Sequence, residues 1–276
     1  MDKADPSRVL NRSVAIDSLS ITKYTSSAAV LPGMVLSTTA LSILLIIFIN
    51  SNVSLALSMT TEQRRYPTIL TNLSLHGLQK KELSHHQELR RASILVPLFE
   101  RPAENSSSAS SSSIHVLFTQ RPQNMKSHGG EVCFPGGKQD PEDNGCDITT
   151  ALREANEEVG LDPTLVQQLA RMETIESKHS LCVTPIVGYI EPPSAAEPSQ
   201  LTLNKQEVEA AFAVPLEYFT MDENCASIET IQWGKNREFI MRTYLFDDPE
   251  SGRQFRIWGL TAHVVHQVAQ LAFSKR

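Results

Sequence analysis

The chain has 276 residues, enough for one sizeable domain together with additional segments. Its formal net charge of −6 at pH 7 excludes a bulk electrostatic attraction to nucleic acid, so no nucleic-acid partner is expected. The four cysteines are scattered without a Cys-x-x-Cys pair, which favours a reducing, intracellular compartment and argues against a zinc site or a disulfide framework.

The N-terminal extension, residues 1–61, contains a long stretch without charged residues. No Asp, Glu, Lys or Arg occurs between Tyr24 and Thr61. The apolar part of this stretch, about residues 35–58, reaches the roughly 20 residues that a membrane-spanning helix needs only by including several polar Ser, Thr and Asn residues. We therefore predict that it is a transmembrane or targeting segment that associates with a membrane. Translation starting at Met59 would omit it and give a cytosolic protein.

Residues 62–89 are predicted to be a polar, partly helical lead-in to a main domain that spans residues 90–273. The apolar run at 92–99 predicts the first strand of this domain. Residues 101–113 are rich in serine and lack the composition to pack, so they are predicted to be a loop. The run at 114–119 then predicts the returning strand of a hairpin.

The stretch from Pro135 to Leu161 carries the clearest helical pattern. Five apolar residues recur at offsets of three and four, which places them on one stripe of a helix: Ile148, Ala151, Leu152, Ala155 and Val159. Gly160 predicts the end of this helix. Glu154, Glu157 and Glu158 have the spacing i, i+3 and i+4, so they share a different face of it.

Like charges at this spacing destabilise an isolated helix by a few tenths of a kcal/mol per pair. Hard divalent cations such as Mg²⁺ or Mn²⁺ prefer carboxylate oxygen, so one interpretation of the acidic face is a metal site. A solvated acidic face on an ordinary amphipathic helix explains the same three residues. Upstream, the predicted tight turn Pro135-Gly136-Gly137 allows the backbone to pass close to the carboxylates or to a phosphate.

The rest of the chain predicts further strands and a closing helix. Residues 181–190 have the pattern of a buried strand, and His179 just before it either faces a substrate or caps the strand end. Residues 237–246 and 254–258 predict a strand pair, because residues 247–252 between them form a strong turn signal. Apolar residues at helical spacing predict a C-terminal helix over 260–272.

The segment from Gly137 to Leu161 resembles the box of the Nudix hydrolases: a glycine, a spacer, an acid, a second spacer, and then Arg-Glu-x-x-Glu-Glu-x-Gly beginning at Arg153. The second half matches throughout, whereas the position of the leading glutamate holds Gly145. In the family that acid mainly braces the arginine. Asp143 and Asp147 are the two candidates to replace it.

A second motif resembles the one that precedes the box in coenzyme A diphosphatases. Its residues have the expected spacing from the box: Leu117 to Pro122, Lys126, Gly130 and Phe134 to Gly137. Phe118, Pro122 and Lys126 depart from that pattern. Lysine at position 126 keeps the positive charge that arginine has in the family but loses its bidentate geometry.

These resemblances imply a fold and a reaction. The fold would be α/β, a Nudix-type α/β/α sandwich with a mixed sheet, to which the N-terminal apolar segment is added. The reaction would be the metal-dependent hydrolysis of the pyrophosphate bond of coenzyme A or acyl-coenzyme A. Its products would be adenosine 3′,5′-bisphosphate and a 4′-phosphopantetheine species.

The resemblance also implies roles for individual residues. Mg²⁺ or Mn²⁺ would be held by three carboxylates: Glu154, Glu157 and Glu158. The catalytic group would comprise two of these and an arginine that orients them: Glu157, Glu158 and Arg153. Substrate would contact two cations and two glycines: Arg121, Lys126, Gly136 and Gly137. Two further residues are candidates on weaker grounds: Glu207, which would help to position water, and His179.

Other functions remain open at this point. Within the enzymes, the substrate would be another nucleoside diphosphate derivative such as NADH or ADP-ribose. Outside them, the chain would be a membrane-tethered, non-catalytic module that binds nucleotides. The location also stays open: it would be mitochondrial, peroxisomal or membrane-anchored. The C-terminal Ser-Lys-Arg does not decide for the peroxisome, because it matches the peroxisomal Ser-Lys-Leu address in only two positions. The oligomeric state is not predicted.

Overall fold

The structure is a computed structural model that describes residues 65–76, 90–102, 112–177, 181–233 and 237–274. The predicted membrane-associated segment, about residues 35–58, lies outside these ranges, and so does His179. Within the described ranges, no helix is both long enough and apolar enough to cross a membrane. Membrane association through the N-terminal segment therefore stays a prediction.

Three α-helices and two β-sheets make up the described part of the chain. The helices are α1 (Arg65–His76), α2 (Asp147–Val159) and α3 (Gly259–Phe273). The larger sheet has eight strands: β1 (Arg90–Pro102), β2 (Ser112–Gln120), β3 (Val132–Cys133), β4 (Gly136–Lys138), β5 (Val166–Arg171), β6 (Ile175–Glu176), β7 (Leu181–Ile190) and β8 (Ala210–Pro215). The smaller sheet has three: β9 (Cys225–Trp233), β10 (Arg237–Asp247) and β11 (Gln254–Trp258).

The larger sheet is mixed, as predicted. Its strand order is β3-β2-β1-β7-β5, while β4 pairs with β1, β6 with β7 and β8 with β2. The central strand β1 runs parallel to β7 and antiparallel to β2. The smaller sheet is antiparallel, in the order β11-β10-β9.

Strand β1 separates two layers of the core. Leu95 and Phe99 pack with the apolar stripe of α2, whereas Val96 and Leu98 face the opposite cluster, which contains α1, α3 and the smaller sheet. A strand that is buried on both faces reads as a nearly continuous apolar run, which is why residues 92–99 show no alternation. Helices thus lie on both sides of the sheet, and the predicted α/β/α sandwich is confirmed.

Helix α1 occupies part of the predicted lead-in at residues 62–89. Ile69 and Leu73 on this helix are buried in the same core cluster as α3. The Asn72 side-chain amide donates a hydrogen bond of 3.2 Å to the carbonyl of Ala272 near the end of α3. Helix α1 therefore packs into the main fold.

Candidate active site

Helix α2 holds the three glutamates in place through its apolar stripe. Ala151, Ala155 and Val159 on this stripe are fully buried against the larger sheet. The helix ends where predicted, because Gly160 adopts a left-handed conformation with φ of 71° and its N–H donates to the carbonyl of Asn156. The orientation of the glutamates is therefore fixed by packing along the helix.

Glu158 is the most deeply buried of the three glutamates, with 2% of its surface exposed. Its Oε2 accepts a hydrogen bond of 3.3 Å from the backbone N–H of Gly136. Burial raises the pKa of Glu158 to about 8, although this N–H and the positive charge of Arg121 both act to lower it. The hydrogen bond and the positive charge therefore do not fully offset the cost of burying the charged form of Glu158.

Gly136 and Gly137 allow the backbone of β4 to lie close to strand β1 and to the Glu154 side chain. A Cβ atom on Gly136 would lie 2.5 Å from the carbonyl oxygen of Ser93, so only glycine permits this approach to β1. A Cβ atom on Gly137 would collide with the carboxyl group of Glu154. Both glycines therefore position the carboxylates, and their contact with substrate stays a prediction.

Arg153 links the acidic groups of this region. Its guanidinium donates to Glu154 Oε1 at 3.0 Å, to Glu157 Oε2 at 3.0 Å and to the backbone carbonyl of Lys138 at 3.1 Å. The pKa of Arg153 is raised, first by its hydrogen bonds to Asp143 and then by the charge of Glu154. Arg153 thus contacts two of the three glutamates, and the orienting role that the resemblance implies for it stays a prediction.

Asp143 is the acid that braces Arg153. Its two carboxylate oxygens accept hydrogen bonds of 3.0 Å from Arg153 Nε and Nη2, and Oδ2 accepts another of 2.9 Å from the Thr150 hydroxyl. The hydrogen bonds from Arg153 are the largest cause that lowers the pKa of Asp143, to about 2. Asp147, the other candidate, accepts instead from Arg171 at 2.7 and 3.1 Å.

The predicted phosphate-binding cations lie on the loop that joins β2 to β3. Arg121 begins this loop, and its charge lowers the pKa of Glu158, so the two side chains are within electrostatic reach. The Nε of Arg121 is shielded from solvent and has no hydrogen-bond partner among the described residues. Lys126 is exposed further along the loop.

Glu207 also lies near the glutamates of α2. Its loop docks on the end of the helix, where the Asn204 N–H donates to the Glu158 carbonyl at 2.9 Å and the Glu207 N–H donates to the Asn204 carbonyl at 2.9 Å. The negative charge of Glu207 raises the pKa of both Glu154 and Glu158. The structure therefore brings Glu207 into the acidic cluster, whereas His179 lies outside the described residues.

The donor chemistry of this cluster suits a hard divalent cation. Carboxylate oxygens are the ligands that Mg²⁺ and Mn²⁺ prefer, and mutual repulsion of Glu154 and Glu158 would be relieved by a positive ion. In the described ranges, no group of three His, Cys, Asp or Glu side chains is arranged to hold a metal ion as it stands. Arg153 donates a hydrogen bond to one oxygen of Glu154 and to one oxygen of Glu157.

Comparison with known proteins gives a consistent result. The NUDIX domain profile matches residues 101–241. The chain is 37% identical over 184 residues to the peroxisomal coenzyme A diphosphatase NUDT7 of Mus musculus, covering 67% of this chain and 71% of that protein. Two Arabidopsis thaliana proteins are similar across 67% of this chain: Nudix hydrolase 15, mitochondrial (37% identical, 60% of its length), and Nudix hydrolase 22, chloroplastic (36%, 56% of its length).

Proposed function

The chain belongs to the Nudix hydrolase family, and from this premise we propose that it hydrolyses the pyrophosphate bond of coenzyme A and acyl-coenzyme A. The observation that carries the proposal is the position of the motif that resembles coenzyme A diphosphatases. Two residues of that motif act on Glu158: the charge of Arg121 lowers its pKa, and the Gly136 N–H donates a hydrogen bond to its carboxylate. The similarity to the mouse diphosphatase supports the same substrate class.

The proposed roles follow from the charge of the substrate. A pyrophosphate resists attack because its oxygens are anionic, so groups that bind it should supply positive charge. Arg121 and Lys126 would bind the phosphates, and the positive charge of Arg121 already acts on Glu158. Arg153 would keep Glu154 and Glu157 oriented, and Asp143 would hold Arg153. Glu207 would help to position water.

Nudix hydrolases generally use divalent metal ions such as Mg²⁺ or Mn²⁺. In this chain Glu154, Glu157 and Glu158 would hold the ion. When bound, such an ion supplies charge neutralisation at the phosphates and activates water. Burial disfavours the charged form of Glu158, and a cation bound beside its carboxylate would stabilise that form.

An organellar location is part of the proposal. The names of the three relatives give peroxisomal, mitochondrial and chloroplastic locations. We propose that this chain also resides in an organelle, with the N-terminal extension at residues 1–61 as its targeting segment. Fluorescent fusions of the full chain and of a form starting at Met59 test this, because only the full chain is expected to reach an organelle. Identical distributions would contradict it.

A substrate panel tests the proposed activity. Turnover of coenzyme A, acetyl-coenzyme A, NADH and ADP-ribose is measured with purified protein, with Mg²⁺ or Mn²⁺ and with a chelator in place of metal. We expect the coenzyme A compounds to have the highest kcat/KM and the chelator to abolish turnover. Comparable or better turnover of NADH or ADP-ribose would replace the proposed substrate by another nucleoside diphosphate derivative.

A further inference from the structure

Arg253, in the turn that leads into the smaller sheet, lies outside the acidic cluster and contacts the residue that precedes Arg121. Arg253 precedes β11, and its Nη2 donates a hydrogen bond of 2.6 Å to Oε1 of Gln120, the last residue of β2. Its guanidinium lies over the Phe255 ring, 5.0 Å from the ring centroid. The side chain therefore joins two elements that are far apart in sequence.

Gln120 transmits this contact to the loop that begins at Arg121. The Gln120 side chain is 9% exposed, and its Nε2 donates to the carbonyl of Gly130 at 3.1 Å. The N–H of Gly130 in turn donates to the carbonyl of Arg121 at 3.1 Å. Because the amide oxygen faces Arg253 and the amide nitrogen faces Gly130, only one orientation of Gln120 satisfies both contacts.

Arg253 itself is held from two sides. The turn between β10 and β11 is closed by the Asp248 N–H, which donates to the Arg253 carbonyl at 2.9 Å, and the Asp248 carboxylate accepts from the Ser251 N–H at 3.0 Å. The Arg253 guanidinium also lies 3.6 Å from Oε1 of Glu209, whose N–H donates to the Gln120 carbonyl at 2.8 Å. These contacts hold the partly exposed Arg253 side chain beside Gln120.

We propose that Arg253 is a positioning residue for phosphate binding, acting on Arg121 through Gln120 and Gly130. The inference rests on the proposed function, because that proposal assigns substrate phosphates to Arg121. A hydrogen bond from a guanidinium is stronger than one between neutral groups, so it restrains the Gln120 amide more firmly than solvent would. Gln120 then closes the base of the loop and sets the direction in which Arg121 leaves β2.

The test compares Arg253 with Arg256, which lies on β11 of the smaller sheet. Arg253→Met removes the charged donor and keeps an apolar chain over Phe255. Arg256→Met is the matched control, because Arg256 on β11 also lies over an aromatic ring, 4.8 Å from the centroid of Trp258. We expect kcat/KM for coenzyme A to fall about tenfold in Arg253→Met, the effect of losing one charge-assisted hydrogen bond, and to stay near the parental value in the control. Arg253→Lys, which keeps one donor, should recover part of the loss.

Two readouts separate positioning from a general structural role. In an Arg121→Met background, Arg253→Met should cause no further loss of kcat/KM, because it acts through Arg121. Hydrogen–deuterium exchange of residues 121–131 should be faster in Arg253→Met than in Arg256→Met, whichever substrate the enzyme uses. Unchanged exchange in that loop, or an equal further loss in the Arg121→Met background, would overturn the inference. If the parent enzyme does not turn over coenzyme A, the proposed function is refuted. The exchange comparison would still decide whether Arg253 positions the loop that begins at Arg121.

Discussion

Replacing Asp143 by asparagine tests the brace beneath the glutamates. The Asp143 carboxylate is 2% exposed and is bound by Arg153 and by the Thr150 hydroxyl. Its pKa is about 2, against an ordinary value of 3.8, which corresponds to about 2 kcal/mol of stability at neutral pH. Because the folded-state pKa is lowered, this stability is present above pH 4 and is lost as the pH falls towards 2.

Urea denaturation at several pH values measures the effect. At pH 7, Asp143→Asn should be about 2 kcal/mol less stable than the parent, and the difference should shrink between about pH 5 and pH 2. Glu142→Gln is the matched control, since Glu142 is an exposed acid of the same turn and should leave stability nearly unchanged. A difference that stays constant from pH 7 to pH 2, or equal stability at pH 7, would refute this account of the brace.

Three further predictions concern the acidic cluster. Glu158→Gln should lower kcat by about 10² to 10³ while the protein stays folded, so near-parental turnover at saturating metal would remove Glu158 from the site. Mg²⁺ should raise the Tm of the parent, and this shift, measured by differential scanning fluorimetry, should shrink in Glu158→Gln. Gly137→Ala should displace the Glu154 carboxyl group and lower kcat by about 10². The Tm should change little, because only the end of a flexible side chain has to move. A large loss of Tm with normal kcat would contradict this prediction.

Local periodicity was sufficient to predict the elements that form the centre of the fold. The apolar stripe predicted the helix over 148–159, and the observed α2 spans Asp147–Val159. The buried run at 181–190 coincides with β7 (Leu181–Ile190), because both faces of this strand are covered. The two strands that pair with β7 on this side, β5 (Val166–Arg171) and the short β6 (Ile175–Glu176), were not predicted from the sequence.

Strand β9 (Cys225–Trp233) was missed because its sequence lacks a clear apolar alternation. It lies at an edge of the smaller sheet, where Ile228 is 56% exposed. The positions of apolar residues on this strand therefore do not indicate which of its faces is buried. The pattern that usually reveals a half-buried strand is therefore weak here.

The contacts that complete the site depend on distant pairing and on turn geometry. Spacing alone leaves Asp143 and Asp147 as equal candidates, and the short 3₁₀ turn at Pro141–Asp143 is what places Asp143 beneath Arg153. The contact between Gln120 and Arg253 joins residues 133 positions apart, a separation over which no local signal operates. The sequence contains a strong turn signal before β11, but that signal does not indicate that the Arg253 side chain contacts Gln120.

Identification of the products of coenzyme A tests the central claim most directly. The protein is incubated with coenzyme A and Mg²⁺, and the products are separated and identified by mass spectrometry, with Glu158→Gln as the control. We predict equimolar adenosine 3′,5′-bisphosphate and 4′-phosphopantetheine from the parent and almost none from the variant. Products that retain the pyrophosphate, such as dephospho-coenzyme A, or equal product formation by the variant, would contradict the account.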